Sequence, residues 1–208
     1  MLGSITPLGE RGHRRRWSAT VTCYLLGSLL GGLTIGGLLG LGGAGLAAAG
    51  LRPSAVAVLV VVGGLSLLGI ALDLRLGGIQ LPTVRRQVDE DWLTRYRGWV
   101  VGVGFGFQLG AGVVTIVTTA SVYVALATAL LAGSFSGGLA LGAGFGLLRA
   151  LPQLATRRVR SPSDLRAQHR RLARWAPRAD LSAVGGQLIV AAVALGTVVL
   201  TIRGGVAA

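Results

Sequence analysis

The chain has 208 residues and a net charge of +13, with 52% hydrophobic residues against 13% charged ones and a mean hydropathy of +0.69. A soluble domain carries about 25% charged residues, so this composition excludes that class and points to an integral membrane protein. The 35 glycines follow no three-residue period and Cys23 is the single cysteine, which excludes collagen-like chains and disulfide scaffolds.

Every basic side chain is an arginine, and the arginines lie between apolar runs rather than along one basic face. No base-stacking aromatic pattern accompanies them, so nucleic-acid binding is not expected. Arg11, Arg14, Arg15 and Arg16 precede the first apolar run, residues 18–50. That run exceeds the core of about 7–15 residues in a cleaved secretory signal, so a retained, tilted membrane helix is expected. Splitting it at Gly31 and Gly32 is the one route to a sixth crossing. Residues 54–72 form a second crossing after the break at Arg52 and Pro53, and Asp73 at its end is expected to meet an arginine or lipid headgroups. In the basic loop that follows, the four-residue spacings Arg85/Asp89, Arg86/Glu90 and Asp91/Arg95 predict a short surface helix.

Residues 98–151 are long enough for two crossings, 98–118 and 119–151, at about 20 apolar residues per crossing. A second basic segment spans 157–178. Within it, Ser161, Pro162 and Asp164 form a helix-start signature, predicting a helix to about Ala176. Its narrow apolar face, Leu165, Gln168, Leu172 and Trp175, is flanked by Arg166, Arg170 and Arg174. This predicts an amphipathic cytoplasmic segment, residues 161–176, lying on anionic lipid, with docking of a membrane partner protein as the alternative. Residues 181–202 make the last crossing.

The fold class is thus an all-α integral membrane protein of five transmembrane helices, or six by the alternative split, in one membrane domain covering 1–208. The positive-inside rule places the N-terminus and both arginine-rich loops in the cytoplasm of a multi-pass plasma-membrane protein.

Residues 19–46 align without a gap on residues 120–147, with identities that include Leu25/Leu126, Gly32/Gly133, Gly36/Gly137 and Gly43/Gly144. This predicts an internal inverted repeat: residues 18–74 and 119–203, joined by the span 98–118. Transporters built in this way place a solute between the repeats where helices are broken, and the expected breaks are Gly31–Gly32 with Gly36–Gly37, and Gly133 with Gly137–Gly138. Glycines four apart, Gly98/Gly102/Gly106/Gly110, Gly32/Gly36/Gly40 and Gly138/Gly142/Gly146, predict close helix packing.

No carboxylate, histidine or arginine is expected at the centre of a span, no metal-ligand spacing exists, and no serine has a histidine and acid to activate it. Neither an enzyme nor a cofactor is therefore expected. The remaining polarity clusters in Gln108, Thr115, Thr118, Ser121 and Tyr123 on one side and Thr20, Thr22 and Tyr24 on the other. These are the candidate solute-binding residues, with the Gln108 amide fixing orientation.

Residues 104–117 and 130–152, with a glycine-aromatic helix start and a glycine-rich helix ending at Pro152, resemble the second repeat of the CcdA/DsbD-type cytochrome c biogenesis membrane family. The resemblance implies an inverted-repeat fold and a thiol-disulfide relay. This chain has Gly112-Val113-Val114 where that family carries a cysteine beside a proline, and Cys23 has no flanking proline. The function expected is transporter-like, binding or moving a small solute between inverted repeats. The alternatives are a thiol-disulfide redox protein dependent on Cys23, and a non-transporting membrane subunit or assembly factor.

Overall fold

A computed structural model describes residues 6–12, 16–78, 96–112 and 119–206. The described residues are helical throughout, without a strand: α1 (Pro7–Gly12), α2 (Trp17–Ala48), α3 (Ala55–Asp73), α4 (Gly98–Ala111), α5 (Ser121–Leu131), α6 (Phe135–Ala150) and α7 (Pro162–Val206). Two 3-10 turns, Leu76–Gly78 and Leu151–Arg158, follow α3 and α6. Four stretches are long and apolar enough to cross a membrane: Trp17–Ala48, Ala55–Asp73, Phe135–Arg158 and Pro162–Gly204. Helices α4 and α5 are apolar but shorter. The surface helix expected around residues 85–95 lies outside the described residues.

Helix boundaries follow local chemistry. Pro53 and Ser54 open α3, and the Ser54 hydroxyl accepts the Ala57 N–H at 3.1 Å. Ser134 does the same for α6, accepting from Gly137 at 3.2 Å. At α7 the expected capping box is present: Ser161 Oγ accepts from the Asp164 N–H at 3.1 Å, and Asp164 Oδ2 accepts from the Ser161 N–H at 2.9 Å. The expected stop near Ala176 is absent, however, and α7 continues for 45 residues with Pro177 inside it. No glycine or asparagine stands there to turn the chain out of the helix, so proline removes one hydrogen bond without ending the helix.

Helix α2 is the centre of the bundle, and glycine makes it so. Gly102, Gly106 and Gly110 of α4 lie against Thr20, Tyr24 and Ser28 of α2, in rising order along both chains, so these two helices run parallel. On another side, Gly32, Gly36 and Gly40 of α2 meet Gly142, Gly138 and Ser134 of α6 in opposite order, so these two run antiparallel. A Cβ at Gly32, Gly36, Gly106, Gly110 or Gly142 would collide with a backbone carbonyl of the facing helix. The Ser28 hydroxyl, fully buried, donates to the Gly146 carbonyl at 2.7 Å across that interface. In an apolar solvent, such close backbone approach supplies the dispersion contacts that association requires. Helices α3 and α7 form a second, antiparallel pair in which Gly63 faces Leu195 and Gly69 faces Gln187.

Two expectations about the repeat are corrected here. Residues 19–46 lie within one continuous helix, α2, whereas residues 120–147 form a hairpin, α5 then α6, that reverses at Gly133. Gly31–Gly32 and Gly36–Gly37 are therefore not breaks: a neighbouring helix covers their backbone, and their intrahelical hydrogen bonds remain intact. Gly133 does break the helix, because it takes a left-handed φ of 58° and is followed by the Ser134 cap.

Candidate functional site

Helix α4 ends where α5 begins, against one stretch of α6. Gly112 closes α4 with a left-handed φ of 72°, and a Cβ there would stand 2.8 Å from the Phe145 ring and 3.6 Å from Arg149 Nη1. Thr119 and Ser121, at the start of α5, share an open groove of about 580 Å³ with Phe145, Leu148 and Arg149 of the same stretch. The Thr119 and Ser121 hydroxyls hydrogen-bond each other, and the Arg149 guanidinium lies 5.4 Å from the Phe145 ring centroid, a cation–π arrangement. One wall of the groove is thus polar and cationic, while Val122, Ala140, Leu141 and Gly144 make the other apolar.

On its other side, the start of α5 meets a carboxylate. Asp73 Oδ1 accepts the Ala120 N–H at 2.7 Å, and Asp73 Oδ2 accepts from Gln187 Nε2 at 2.7 Å. Asp73 thereby ties the end of α3, the start of α5 and the middle of α7. Gln187 is 3% exposed, its Oε1 lies where a Cβ on Gly69 would stand, and that oxygen has no hydrogen-bond partner among the described residues. Asp73 was expected to meet an arginine or headgroups. Instead the protein uses it as an N-cap from a distant helix, placing negative charge at the positive end of α5. Arg149 complements it with positive charge beside the carbonyl end of α4. The half-buried Arg149 stands in the last turn of α6, away from the helix centre, where no ion was expected.

The expected solute residues divide. Ser121 lines the groove, and Tyr24, half-buried against Val21, Val101 and Phe105, lies within electrostatic reach of Arg149. Thr20 is buried but committed elsewhere, its hydroxyl donating to Glu10 Oε2 of α1 at 2.9 Å. Gln108 is half-buried on α4, while Thr22 and Tyr123 face outward from the bundle. Thr115 and Thr118 lie outside the described residues. Thr20 and Ser121 therefore do not line one cavity. Between the glycine faces of α2 and α6, the described residues enclose a void of about 10 Å³, lined by apolar groups such as Ile35, Leu126 and Phe145, and this is too small for a solute. Cys23 is a free, half-buried thiol whose Cβ packs at Gly102 in the α2–α4 interface. The proposed lipid-interface residues Arg166, Arg170, Arg174 and Trp175 are all exposed on the first half of α7.

Asp73, Gln187, Thr119 and Arg149 were missed as site residues. Gln187 carried a usable signal, being the one amide in the last apolar run, as Gln108 is in its own.

Neither a family model nor a solved structure matches the chain. Two curated relatives do. The chain is 33% identical over 156 residues to the methylamine utilization protein MauF of Methylophilus methylotrophus, covering 73% of this chain and 53% of that protein. It is 33% identical over 137 residues to the MauF of Paracoccus versutus, covering 65% and 49% respectively. The chain spans about half the length of the curated relatives it matches. The similarity runs to MauF and not to the CcdA/DsbD-type family, which corrects the resemblance drawn above. The residues that carried that resemblance have a packing role: Gly106 and Gly110 admit α2, Gly138 and Gly142 admit it from the other side, and Pro152 opens a 3-10 turn.

Proposed function

We propose that the chain is a five-pass membrane protein that serves methylamine utilization by binding or moving a small polar solute where its third pass is divided. The passes are α2, α3, α4 with α5, α6 and α7. Helices α4 and α5 rise about 21 Å and about 16 Å at 1.5 Å per residue, each short of a hydrocarbon core of about 30 Å and together sufficient to cross it. Both run in the direction of α2: α4 pairs with it in rising order, and α5 passes from Ala120 beside Asp73 to Leu130 beside Gly43. The arginine-bearing end is cytoplasmic, in keeping with the positive-inside rule.

One observation carries this reading. One half-length helix ends and the next begins against the same stretch of α6, flanked by a carboxylate on one side and a guanidinium on the other, beside an open groove. Divided membrane helices of this kind present helix ends and side chains that replace a solute's hydration. The name of the relatives directs attention to methylammonium and to the products of its oxidation as probes.

The test is thermal stabilisation of the purified full chain in neutral detergent, screened across small amines, carboxylates and amino acids. A ligand that raises the melting temperature in a saturable way should lose at least about tenfold in affinity in Arg149→Gln or Asp73→Asn, as removal of a charge-assisted partner implies. No stabilising solute, or one whose binding ignores both substitutions, would count against the site. Cys23→Ser should leave solute binding intact; loss of function with the thiol would favour the redox alternative. A second reading, a non-transporting subunit or assembly factor, draws on the relatives' names, which speak of utilization and not of transport. Stoichiometric co-purification of a membrane partner, with no solute response, would favour it.

A further inference from the structure

At the arginine-bearing end, the start of α2 and the 3-10 turn after α6 enclose a second open pocket, of about 680 Å³. Arg16, Trp17, Ser18, Arg157, Arg158 and Arg160 line it, and no carboxylate is among its described lining residues. The two segments are held in place. The Leu8 N–H of α1 donates to the Val159 carbonyl at 3.1 Å, and the buried Thr156 hydroxyl donates to the Gln153 carbonyl at 2.8 Å. Glu10 of α1 is not among the lining residues and accepts from the Thr20 hydroxyl, one turn into α2.

Four arginines line the pocket, and their guanidinium groups repel one another at an energy that rises as solvent is excluded; Asp164 lies near Arg160 alone, where it accepts the Arg160 N–H at 3.0 Å. The fold nevertheless brings them together. The pocket also lies at the N-terminus of a 32-residue helix whose cap residue, Arg16, makes no side-chain hydrogen bond and whose first turn holds no acid. Most helices fill that position with a hydroxyl or carboxylate, and the unfilled amide end adds to the positive field. Planar, five-donor guanidinium groups match the oxygens of phosphate better than any other common anion. Trp17, which lines the pocket and packs against the Val21 cluster, is the residue type enriched where a membrane protein meets headgroups.

We propose that this pocket binds a phosphate group, supplied either by the headgroup of an anionic phospholipid or by a free phosphate ester. It is separate from the groove at Arg149, and it does not depend on the solute reading.

The experiment compares the full chain in neutral detergent with two variants of equal charge loss: Arg157→Gln/Arg158→Gln/Arg160→Gln in the pocket, and Arg52→Gln/Arg171→Gln/Arg203→Gln outside it. Each is titrated with mixed micelles of phosphatidylglycerol or phosphatidylcholine and, separately, with inorganic phosphate and pyrophosphate; thermal stability is the readout. The unliganded melting temperatures establish that both variants are folded. Saturable stabilisation by phosphatidylglycerol alone identifies the lipid as source, and stabilisation by the inorganic anions identifies a free ester. In either case the pocket variant should bind at least about tenfold more weakly than the outside variant, because it loses charge-assisted hydrogen bonds that the outside variant keeps. Equal losses in the two variants would reduce the effect to net charge and overturn the proposal, as would the absence of saturable stabilisation by any of these ligands.

Discussion

Glycine is the residue on which this bundle turns, and substitution with alanine separates its two roles. Ala at Gly106 or Gly142 must displace a facing backbone carbonyl, whereas Gly45 and Gly144 have nothing within 4 Å of an added Cβ. Overpacking costs about 1–3 kcal/mol, while alanine in an open helical position gains up to about 1 kcal/mol over glycine. Thermal unfolding in detergent should therefore show Gly106→Ala and Gly142→Ala less stable than the parent, and Gly45→Ala and Gly144→Ala equal or more stable. The packed glycines were legible because their four-residue spacing is local. The partner of Asp73 was not, since Gln187 lies 114 positions away and no local pattern announces such a pair. Removing one partner leaves the other unsatisfied, so Asp73→Leu and Gln187→Leu should each destabilise by about 1–3 kcal/mol. The double variant should cost less than the sum, and strict additivity in that cycle would show that the hydrogen bond contributes nothing.

At the scale of elements, two of the four left-handed glycines among the described residues set where α4 and α5 end. Gly112 and Gly133 both have positive φ, yet only Gly112 has a side chain against it, the Phe145 ring, while the nearest atom to a Cβ at Gly133 is 3.9 Å away. Alanine in the left-handed region costs about 1–2 kcal/mol. Gly133→Ala should show that strain alone, and Gly112→Ala should show it together with displacement of Phe145, and so the larger fall in melting temperature. Equal falls would mean that the ring is free to move aside. The start at Ser161 was read from its capping signature and the one at Ser54 from the break at Arg52 and Pro53, whereas the start at Ser134 lies inside a run read as one crossing. The gapless match of residues 19–46 with 120–147 does not extend to their structure. The same letters form a straight helix in one place, where two neighbours cover its glycines, and a hairpin in the other, where Gly133 and Ser134 combine to end and restart the helix. Pro177 was expected to lie beyond a helix end, and it sits within α7 because nothing adjacent turns the chain.

Across the whole molecule, composition pointed to the membrane class, and each of the four stretches long and apolar enough to cross overlaps a run that hydropathy marks, the last of them starting well before its run, at Pro162. What hydropathy could not divide was 98–151, where a run whose only charge is Arg149 holds three helices and one reversal of direction, at Gly133. The orientation proposed here has a direct test. Single cysteines at positions 90 and 168 in a Cys23→Ser background should resist an impermeant thiol reagent in intact cells and react after the membrane is opened; efficient labelling in intact cells would invert the topology.

The central claim is that a polar, solvent-reachable site lies where α4 ends and α5 begins. Its most direct measurement is the thiol reactivity of Ser121→Cys in opened membranes toward a small charged methanethiosulfonate, in the Cys23→Ser background. Two references frame the rate: Arg166→Cys, exposed on the basic half of α7, and Leu38→Cys, 59% exposed on the apolar surface of α2. A thiol reacts as its thiolate, which forms in water and not in lipid. The account predicts that Ser121→Cys reacts at a rate close to that of Arg166→Cys. A Ser121→Cys thiol as unreactive as Leu38→Cys would place the groove in lipid and contradict it.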